Sequence, residues 1–349
     1  MRSLPGRTVV PGDLRADANA FTLLRWMLAS TVMFSHGWDL TQAARGLDPS
    51  VAILSFPVSR LAVFLFFTLS GFLVAGSLVK RGPAAFAIAR ALRLLPGLWA
   101  MLLVLPLVLW AAFGTVSLAA FLADPLTHRF VWRNALLLGG EYRLPFVFAG
   151  HPVPGVANGS LWTIPLEVRC YIALALTGAI GLLLPRRRFT LLFGAAMVLH
   201  LVLPVELVPQ LTYSRWLAFS FFLGVLAWLW RERLWLSWPL ALGAMTVAVL
   251  LPDAWAIKTA AIQLGFGYAV LVAAFLVPPA LKRFSAALPD YSYGIYIYAF
   301  PAQQAALALG AVTPAANIGL AFALMLPFAA ASWHLVEKPA LAAKRHFGR

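Results

Sequence analysis

Apolar residues dominate this chain in runs that recur along nearly its whole length. Each run holds about 20 residues, which is the length that an α-helix needs to cross the hydrocarbon core of a bilayer. The alternation that a membrane β-barrel requires is absent. The pattern therefore predicts an all-α polytopic membrane protein with about ten transmembrane helices. These helices are expected at residues 20–38, 59–79, 94–114, 160–184, 190–204, 213–230, 236–252, 259–277, 291–311 and 315–335.

The longest stretch without an apolar run covers residues 115–159 and is rich in proline, glycine and aromatic residues. A loop of this length is uncommon unless it is functional or disordered. Its aromatic residues suit contact with sugar rings or lipid headgroups, and an ordinary interfacial loop is the alternative. We therefore predict an N-terminal segment at residues 1–19, a single transmembrane domain at 20–335 and a tail at 336–349.

Composition and charge agree with this organisation. Of the 349 residues, 62% are hydrophobic and 11% are charged, whereas a typical soluble domain has about 25% charged residues. The net charge of +15 could indicate nucleic acid, but most of the 27 Lys and Arg fall on one side of the predicted helices. By the positive-inside rule, both termini are cytoplasmic and residues 115–159 are extracytoplasmic. We therefore expect no nucleic-acid partner.

Two further features of composition limit the possible chemistry. The single cysteine, Cys170, excludes an internal disulfide and a multi-cysteine metal site, and the histidines lack metal-ligand spacing, so no metal is expected. Usage rich in alanine, leucine and arginine suggests the inner membrane of a bacterium, where membrane lipids surround the protein.

The first predicted helix carries two polar residues, Arg25 and His36, in the run LLRWMLASTVMFSHGWDL. An ionisable residue at the centre of a membrane helix costs about 2.5–3.5 kcal/mol and usually marks function. Eleven residues separate the two, so they share one helix face and lie about 16 Å apart along the axis. Arg25 could instead reach the inner headgroups, and His36 could be a hydrogen-bonded interface residue. Because they share a face, a single aqueous path between helices would contact both side chains.

A second pair of basic residues, Arg90 and Arg93, precedes the third predicted helix in ARALRLLPGLW. Positions three apart are neighbours on a helix surface. Two guanidinium groups at this spacing suit a phosphate, because arginine forms bidentate hydrogen bonds to phosphate oxygens. The alternative is a cytoplasmic anchor of the helix.

The fourth predicted helix carries a carboxylate, Glu167, in NGSLWTIPLEVRCY. Thr163, Glu167 and Tyr171 are four residues apart and form one polar stripe. We expect Glu167 to lie at a depth similar to that of His36. A histidine and a carboxylate can form the base and orienting pair of acyl transfer. In this hypothesis His36 removes a proton from an acceptor hydroxyl, and Glu167 holds the imidazole or the acceptor.

Several motifs together resemble the acyltransferase-3 family of integral membrane acyltransferases. They are Arg25 and His36 eleven residues apart, FFTLSGFL in the second helix, Arg90 and Arg93, GSLWTIPLEV with Glu167, and the late segments SYGIYIYAFP and VEKP. Ser70 and Gly71 of the second motif are small residues that let helices approach closely. The resemblance extends from about residue 20 to 340.

The resemblance implies ten helices, an acyl-CoA donor (usually acetyl-CoA) bound from the cytoplasm, and an acceptor outside it. It assigns catalysis to His36 and Glu167 and donor binding to the three arginines. We expect the acceptor to be a carbohydrate or a lipid-linked glycan. Residues expected to bind or support substrate are Ser160, Trp162, Thr163, Tyr171 and Tyr293.

Two other classes of function are compatible with the same residues. A secondary transporter of an anionic solute could line its path with Arg25, His36 and Glu167, although the inverted repeats and paired broken helices common in transporters are not evident. A structural subunit of an envelope complex would tolerate loss of His36 and Glu167. The absence of an evident serine or cysteine nucleophile favours direct transfer over an acyl-enzyme.

Overall fold

The computed structural model of the protein describes residues 6–41, 48–202, 212–252 and 255–343. Within these ranges the regular elements are helical, and the only strand-like pairings are two isolated bridges. The long helices are α1 Phe21–Thr41, α3 Val58–Phe113, α6 Ile164–Ala179, α7 Arg186–Val202, α8 Thr212–Leu229, α9 Trp238–Leu250, α10 Trp255–Phe275, α12 Ser292–Ala308 and α13 Pro314–Ala331. The shorter helices are α2 Val51–Leu54, α4 Leu118–Ala123, α5 Pro125–Ala135, α11 Pro279–Ala287 and α14 Lys338–Ala343. The all-α prediction agrees with this structure.

Every predicted span overlaps one of the long helices. Within the described residues, three helices are long and apolar enough to cross a bilayer, at Val58–Phe113, Ala256–Phe275 and Pro314–Ala343. The count of ten spans and the orientation of the termini stay predictions. Parts of the predicted N-terminal segment, of the fifth span and of the tail lie outside the described residues.

The helix α3 contains both the second and the third predicted span. The two parts meet at Gly82, whose backbone has φ 75° and ψ 170° and is not helical. A side chain at Gly82 would meet no atom within 4 Å, so the backbone conformation, rather than crowding, requires glycine there. The proline that follows, Pro83, cannot continue the hydrogen bonding of the preceding turn. This kink lies between the two spans that the sequence predicts within α3.

The helices α3 and α8 pack closely because small residues lie at their contact. A Cβ on Gly71 would overlap the carbonyl oxygen of Phe221, and a Cβ on Gly224 would overlap that of Thr68. Any larger residue would therefore separate the two backbones. The expectation that Gly71 permits close approach agrees with this contact.

The predicted loop 115–159 is more ordered than the sequence indicates. It contains α4 and α5 and begins a short 3₁₀ helix, Gly159–Thr163. The Asp124 side chain caps α5 by accepting a hydrogen bond from the Leu126 amide at 2.7 Å, which is a common N-terminal signal. The prediction of a long loop is wrong for α4 and α5. The apolar helix α4 has only 6 residues and α5 contains several polar residues, so neither stands out as a long apolar run.

One buried carboxylate, Asp48, joins the end of α1 to the start of α3. It accepts hydrogen bonds from the Ser35 hydroxyl, from the amide and hydroxyl of Ser50, and from the Val58 amide. The Ser59 amide donates in turn to the Ser35 hydroxyl at 2.9 Å. The network satisfies amides that helix geometry leaves unpaired at the start of α3. It also fixes the position of Ser35, the residue before His36.

Asp48→Ala should lower the free energy of unfolding by about 1–3 kcal/mol, because buried donors lose their acceptor. Burial raises the pKa of Asp48, but hydrogen bonds from Ser35, Ser50 and Val58 outweigh burial and hold that pKa below its usual range. The stabilisation is therefore present above the unfolded pKa and is lost as the pH falls through the folded pKa. Thermal unfolding at neutral and acidic pH tests both statements. Equal midpoints for Asp48→Ala and the exposed control Asp17→Ala at neutral pH would contradict them.

Candidate active site

The helix α1 places His36 at a cavity of about 270 Å³. The cavity is bounded by α1, the start of α3, the Gly159–Thr163 turn, α8 and α12. Its lining residues are Val32, His36, Pro57, Ser59, Arg60, Val63, Phe64, Ser160, Trp162, Leu217 and Tyr296. Ser160 and Trp162, which the sequence singles out as substrate-supporting residues, therefore lie at the same cavity as the predicted catalytic histidine.

Two polar atoms at this cavity are buried without a hydrogen-bond partner among the described residues. They are Nδ1 of His36 and Oγ of Ser160. The His36 ring packs edge-on against Phe300, with 5.2 Å between the ring centroids. A buried polar atom that lacks a partner costs about 1–3 kcal/mol, so a hydroxyl-bearing substrate in the cavity would satisfy groups that the protein itself does not.

The Gly159–Thr163 turn is held in place by Asn158, a fully buried residue. Its amide donates to the carbonyl of Ile297 at 2.8 Å, and its side-chain oxygen accepts from the Ser160 amide. A Cβ on Gly159 would lie 2.8 Å from Cε2 of Phe300. The turn therefore packs directly on the ring that contacts His36, and it places Ser160 at the cavity that His36 also lines.

A smaller adjoining cavity contains Glu167 and shares Val32, Val63 and Tyr296 with the first. Glu167 accepts a hydrogen bond from Ser70 at 3.0 Å and another from Tyr171. No hydrogen bond joins Glu167 to Nδ1 of His36. The two predicted catalytic residues thus lie at neighbouring cavities and are not paired directly through that nitrogen.

The residues of the polar stripe predicted on α6 have different hydrogen-bond partners. Tyr171 contacts Glu167, as the spacing of four residues predicts. Thr163 instead lies in the 3₁₀ turn before α6 and shares a hydrogen bond of 2.7 Å with the Tyr296 hydroxyl. Tyr296 therefore connects the Thr163 turn to both cavities.

Two of the predicted phosphate-binding arginines belong to a cluster of ion pairs. Arg25 contacts Asp290 at 2.8 Å, and Arg93 contacts Asp290 at 2.8 Å and Glu337 at 2.9 Å. Glu337 is fully buried and also accepts a hydrogen bond from Ser332. The cluster joins α1, α3 and the start of α12 to a π-helical turn, Ser332–Glu337. Its two positive charges are matched by two carboxylates.

The third arginine, Arg90, has different surroundings although it is one helical turn from Arg93. It lies at an apolar cavity of about 370 Å³ between the second half of α3 and α6. Its guanidinium carbon lies 5.9 Å from the centroid of the Tyr171 ring. Its Nε is buried without a hydrogen-bond partner, and no ion pair involves Arg90 among the described residues. The pair predicted to share a phosphate therefore contacts two separate regions.

Tyr293 connects the ion-pair cluster to the Glu167 cavity. Its hydroxyl donates to the Leu94 carbonyl at 3.0 Å, and its ring lines the cavity. The guanidinium carbon of Arg93 lies 5.9 Å from the centre of this ring. The sequence singles out Tyr293 as a supporting residue, and it lies between the two groups of predicted site residues.

Sequence reasoning missed three residues that contact the site. The sequence presents Ser70 only as a small residue, yet its hydroxyl donates a hydrogen bond to Glu167. Tyr296 was one of several tyrosines in SYGIYIYAFP, with no signal to distinguish it. Asp290 carries a sequence signal for an ion pair. It is an acidic residue directly before an apolar run, where its charge needs a partner within the protein.

The sequence matches the family described as an acyltransferase domain over residues 19–335. It is 28% identical to nodulation protein 10 of Rhizobium leguminosarum bv. viciae, with 93% of each chain covered. It is 27% identical to an O-acetyl transferase of Shigella phage Sf6, over 92% of this chain and 95% of the relative. No solved structure gives a significant match. Because the family match covers most of the chain, the protein belongs to the acyltransferase-3 family and is an acyltransferase.

Proposed function

We propose that the protein transfers an acyl group, most simply acetyl, from cytoplasmic acyl-CoA to a hydroxyl of a carbohydrate or lipid-linked glycan. The observation that carries this proposal is the cavity where Nδ1 of His36 and Oγ of Ser160 lie buried with no hydrogen-bond partner in the described part of the chain. A neutral imidazole has one nitrogen that can accept a proton. An acceptor hydroxyl at this cavity could donate its hydrogen to that nitrogen. The relative named as an O-acetyl transferase supports the same type of reaction.

The proposed reaction proceeds by direct transfer. His36 takes the proton of the acceptor hydroxyl while the hydroxyl oxygen attacks the thioester carbonyl carbon of the donor. The tetrahedral intermediate then loses its C–S bond, and the sulfur receives the proton from the imidazolium. The products are an oxygen ester and the free thiol of CoA. No covalent intermediate on the enzyme is needed.

We assign Glu167 to the positioning and electrostatics of this step. Its carboxylate is fixed by hydrogen bonds from Ser70 and Tyr171 and faces a cavity that adjoins that of His36. A fixed negative charge in a low-dielectric site stabilises a positive charge that develops nearby, here the imidazolium. Of the two roles that the sequence leaves open, holding the acceptor fits the absence of a hydrogen bond to Nδ1 of His36.

For the donor, we propose that Arg25, Arg90 and Arg93 attract the phosphates of CoA. Arg90 is the strongest of the three candidates because it has no carboxylate partner among the described residues. Arg25 and Arg93 would have to share their guanidinium groups with Asp290 and Glu337.

We further propose an inner-membrane location in a bacterium, with both termini in the cytoplasm and residues 115–159 outside it. The relatives from Rhizobium and from a Shigella phage support a bacterial setting. The donor would then approach from the arginine end of α1, and the acceptor from the His36 end.

The proposal is tested with membranes that contain the protein, labelled acetyl-CoA and a glycan extract. We expect label in the polysaccharide fraction and one free CoA thiol for each ester formed. The Glu167→Gln variant should transfer the label at least about tenfold more slowly than wild type, because the substitution removes the negative charge and keeps the shape of the side chain. Ester hydrolysis by mild base would confirm the type of bond.

The same measurement separates the transporter alternative, because a transporter moves its solute without forming an ester. Uptake or release of an anionic solute without labelled ester would support transport. Succinyl-CoA and longer acyl donors form a second arm of the experiment. If no donor yields labelled ester or free CoA, the proposed function is wrong.

A further inference from the structure

A larger cavity lies between α6, α7 and α8, away from the candidate active site. Its volume is about 390 Å³, which falls within the range of about 300–1,000 Å³ that is common for small-molecule sites. Its lining is apolar except for Thr177, His200 and Arg215. The cavity is therefore suited to a long apolar group with one polar end.

The two basic residues of this cavity lie at the same end. His200 is close to the end of α7 and Arg215 is close to the start of α8. Thr177, close to the end of α6, and Phe189, close to the start of α7, lie at the other end of the cavity. Between the two ends the wall consists of residues such as Phe193 and Ala196. The arrangement matches an amphiphile with an anionic head and an apolar chain.

His200 provides an independent indication of a ligand. The side chain is only 5% exposed, and neither ring nitrogen has a hydrogen-bond partner among the described residues. Its ring is packed between Trp216, at 4.0 Å between centroids, and Phe219, at 5.3 Å. Aromatic packing holds the ring but does not satisfy its nitrogens. A ligand oxygen at this end of the cavity would do so.

We propose that this cavity binds an anionic phospholipid of the bilayer, with a phosphate oxygen at Arg215 and His200 and one acyl chain along the apolar wall. Arginine binds phosphate through charge-assisted hydrogen bonds, and histidine supplies a further donor. Leu217 of α8 lines the His36 cavity, whereas Arg215 and Ala218 line this one. The lipid therefore supports the helix that separates the two cavities and takes no part in transfer.

Native mass spectrometry of the full chain tests this binding. The detergent-solubilised protein receives phosphatidylglycerol or phosphatidylcholine with identical acyl chains at equal concentration. We expect wild type to retain the anionic lipid about tenfold more, which corresponds to about 1.4 kcal/mol. Arg215→Gln and His200→Leu should bring this ratio close to one. Arg187→Gln, at an exposed arginine of α7 outside the cavity, should keep the ratio of wild type.

A cavity-filling variant, Ala196→Trp, tests the position of the acyl chain without changing any charge. It should reduce retention of both lipids. Equal retention of the two lipids by wild type, or wild-type retention of the anionic lipid by Ala196→Trp, would overturn the proposal. Inorganic phosphate forms a further arm: if phosphate alone raises the thermal midpoint as much as phosphatidylglycerol, the site binds the free anion and the lipid assignment is wrong.

Discussion

Replacing His36 with alanine is expected to reduce acyl transfer by about 10²–10⁴-fold at saturating donor, which is the usual contribution of a general base. Nδ1 of the His36 imidazole has no hydrogen-bond partner among the residues that the structure describes. Removing this imidazole takes away the proton acceptor that we propose for the acceptor hydroxyl. The rate should be measured as labelled ester formed in membranes with equal amounts of protein.

The pattern of kinetic change distinguishes a chemical role for His36 from a structural one. We expect the KM for acyl-CoA to change little, because the donor phosphates are proposed to bind at the opposite end of α1. The thermal midpoint should also stay close to that of wild type, since the ring borders a cavity and its Nδ1 makes no hydrogen bond within the described residues that could be lost. His128→Ala, at an exposed histidine of α5, is the matched control and should transfer at the wild-type rate. Full activity of His36→Ala would remove the histidine from the mechanism.

Periodicity predicted the helices and the shared face of α1 because both depend on local sequence. Arg25 contacts Asp290, directly before α12, and His36 contacts Phe300, within α12. Two residues eleven positions apart therefore face the same neighbouring element, as the helical repeat requires. Glu167 and Tyr171 likewise contact each other at a spacing of four.

The partners of these residues could not be predicted, because a single sequence does not reveal which helices are neighbours. Ser70 and Glu167 are 97 positions apart, and Arg93 and Glu337 are 244 apart. Arg90 shows a further limit of local spacing. It is adjacent to Arg93 on the helix surface, but it faces the α6 side while Arg93 faces the π-helical turn. Side-chain surroundings, and not spacing alone, decide whether two arginines can share a ligand.

The ion pairs of Arg93 lead to the second large expected effect. Arg93→Met should lower the free energy of unfolding by about 3–5 kcal/mol, because removing one member of a buried cluster leaves uncompensated charge. Among the described residues, the fully buried Glu337 would keep only the hydrogen bond from Ser332, while Asp290 would keep its ion pair with Arg25. The measurement is the thermal midpoint of the purified protein in detergent, beside Arg90→Met as the matched control, which removes an arginine from the same helix without breaking an ion pair.

The outcome also separates the two roles that Arg93 could have. If its main role is structural, the thermal midpoint of Arg93→Met is well below that of Arg90→Met. The double variant Arg93→Met with Glu337→Met then recovers part of the lost stability, since replacing a buried ion pair with apolar residues of similar size often costs little. If its main role is donor binding, the midpoint of Arg93→Met is unchanged and the KM for acyl-CoA rises. The hydrogen bonds from Arg93 to two carboxylates favour the first outcome. In that case we expect Arg90→Met to raise the KM for acyl-CoA without changing the thermal midpoint.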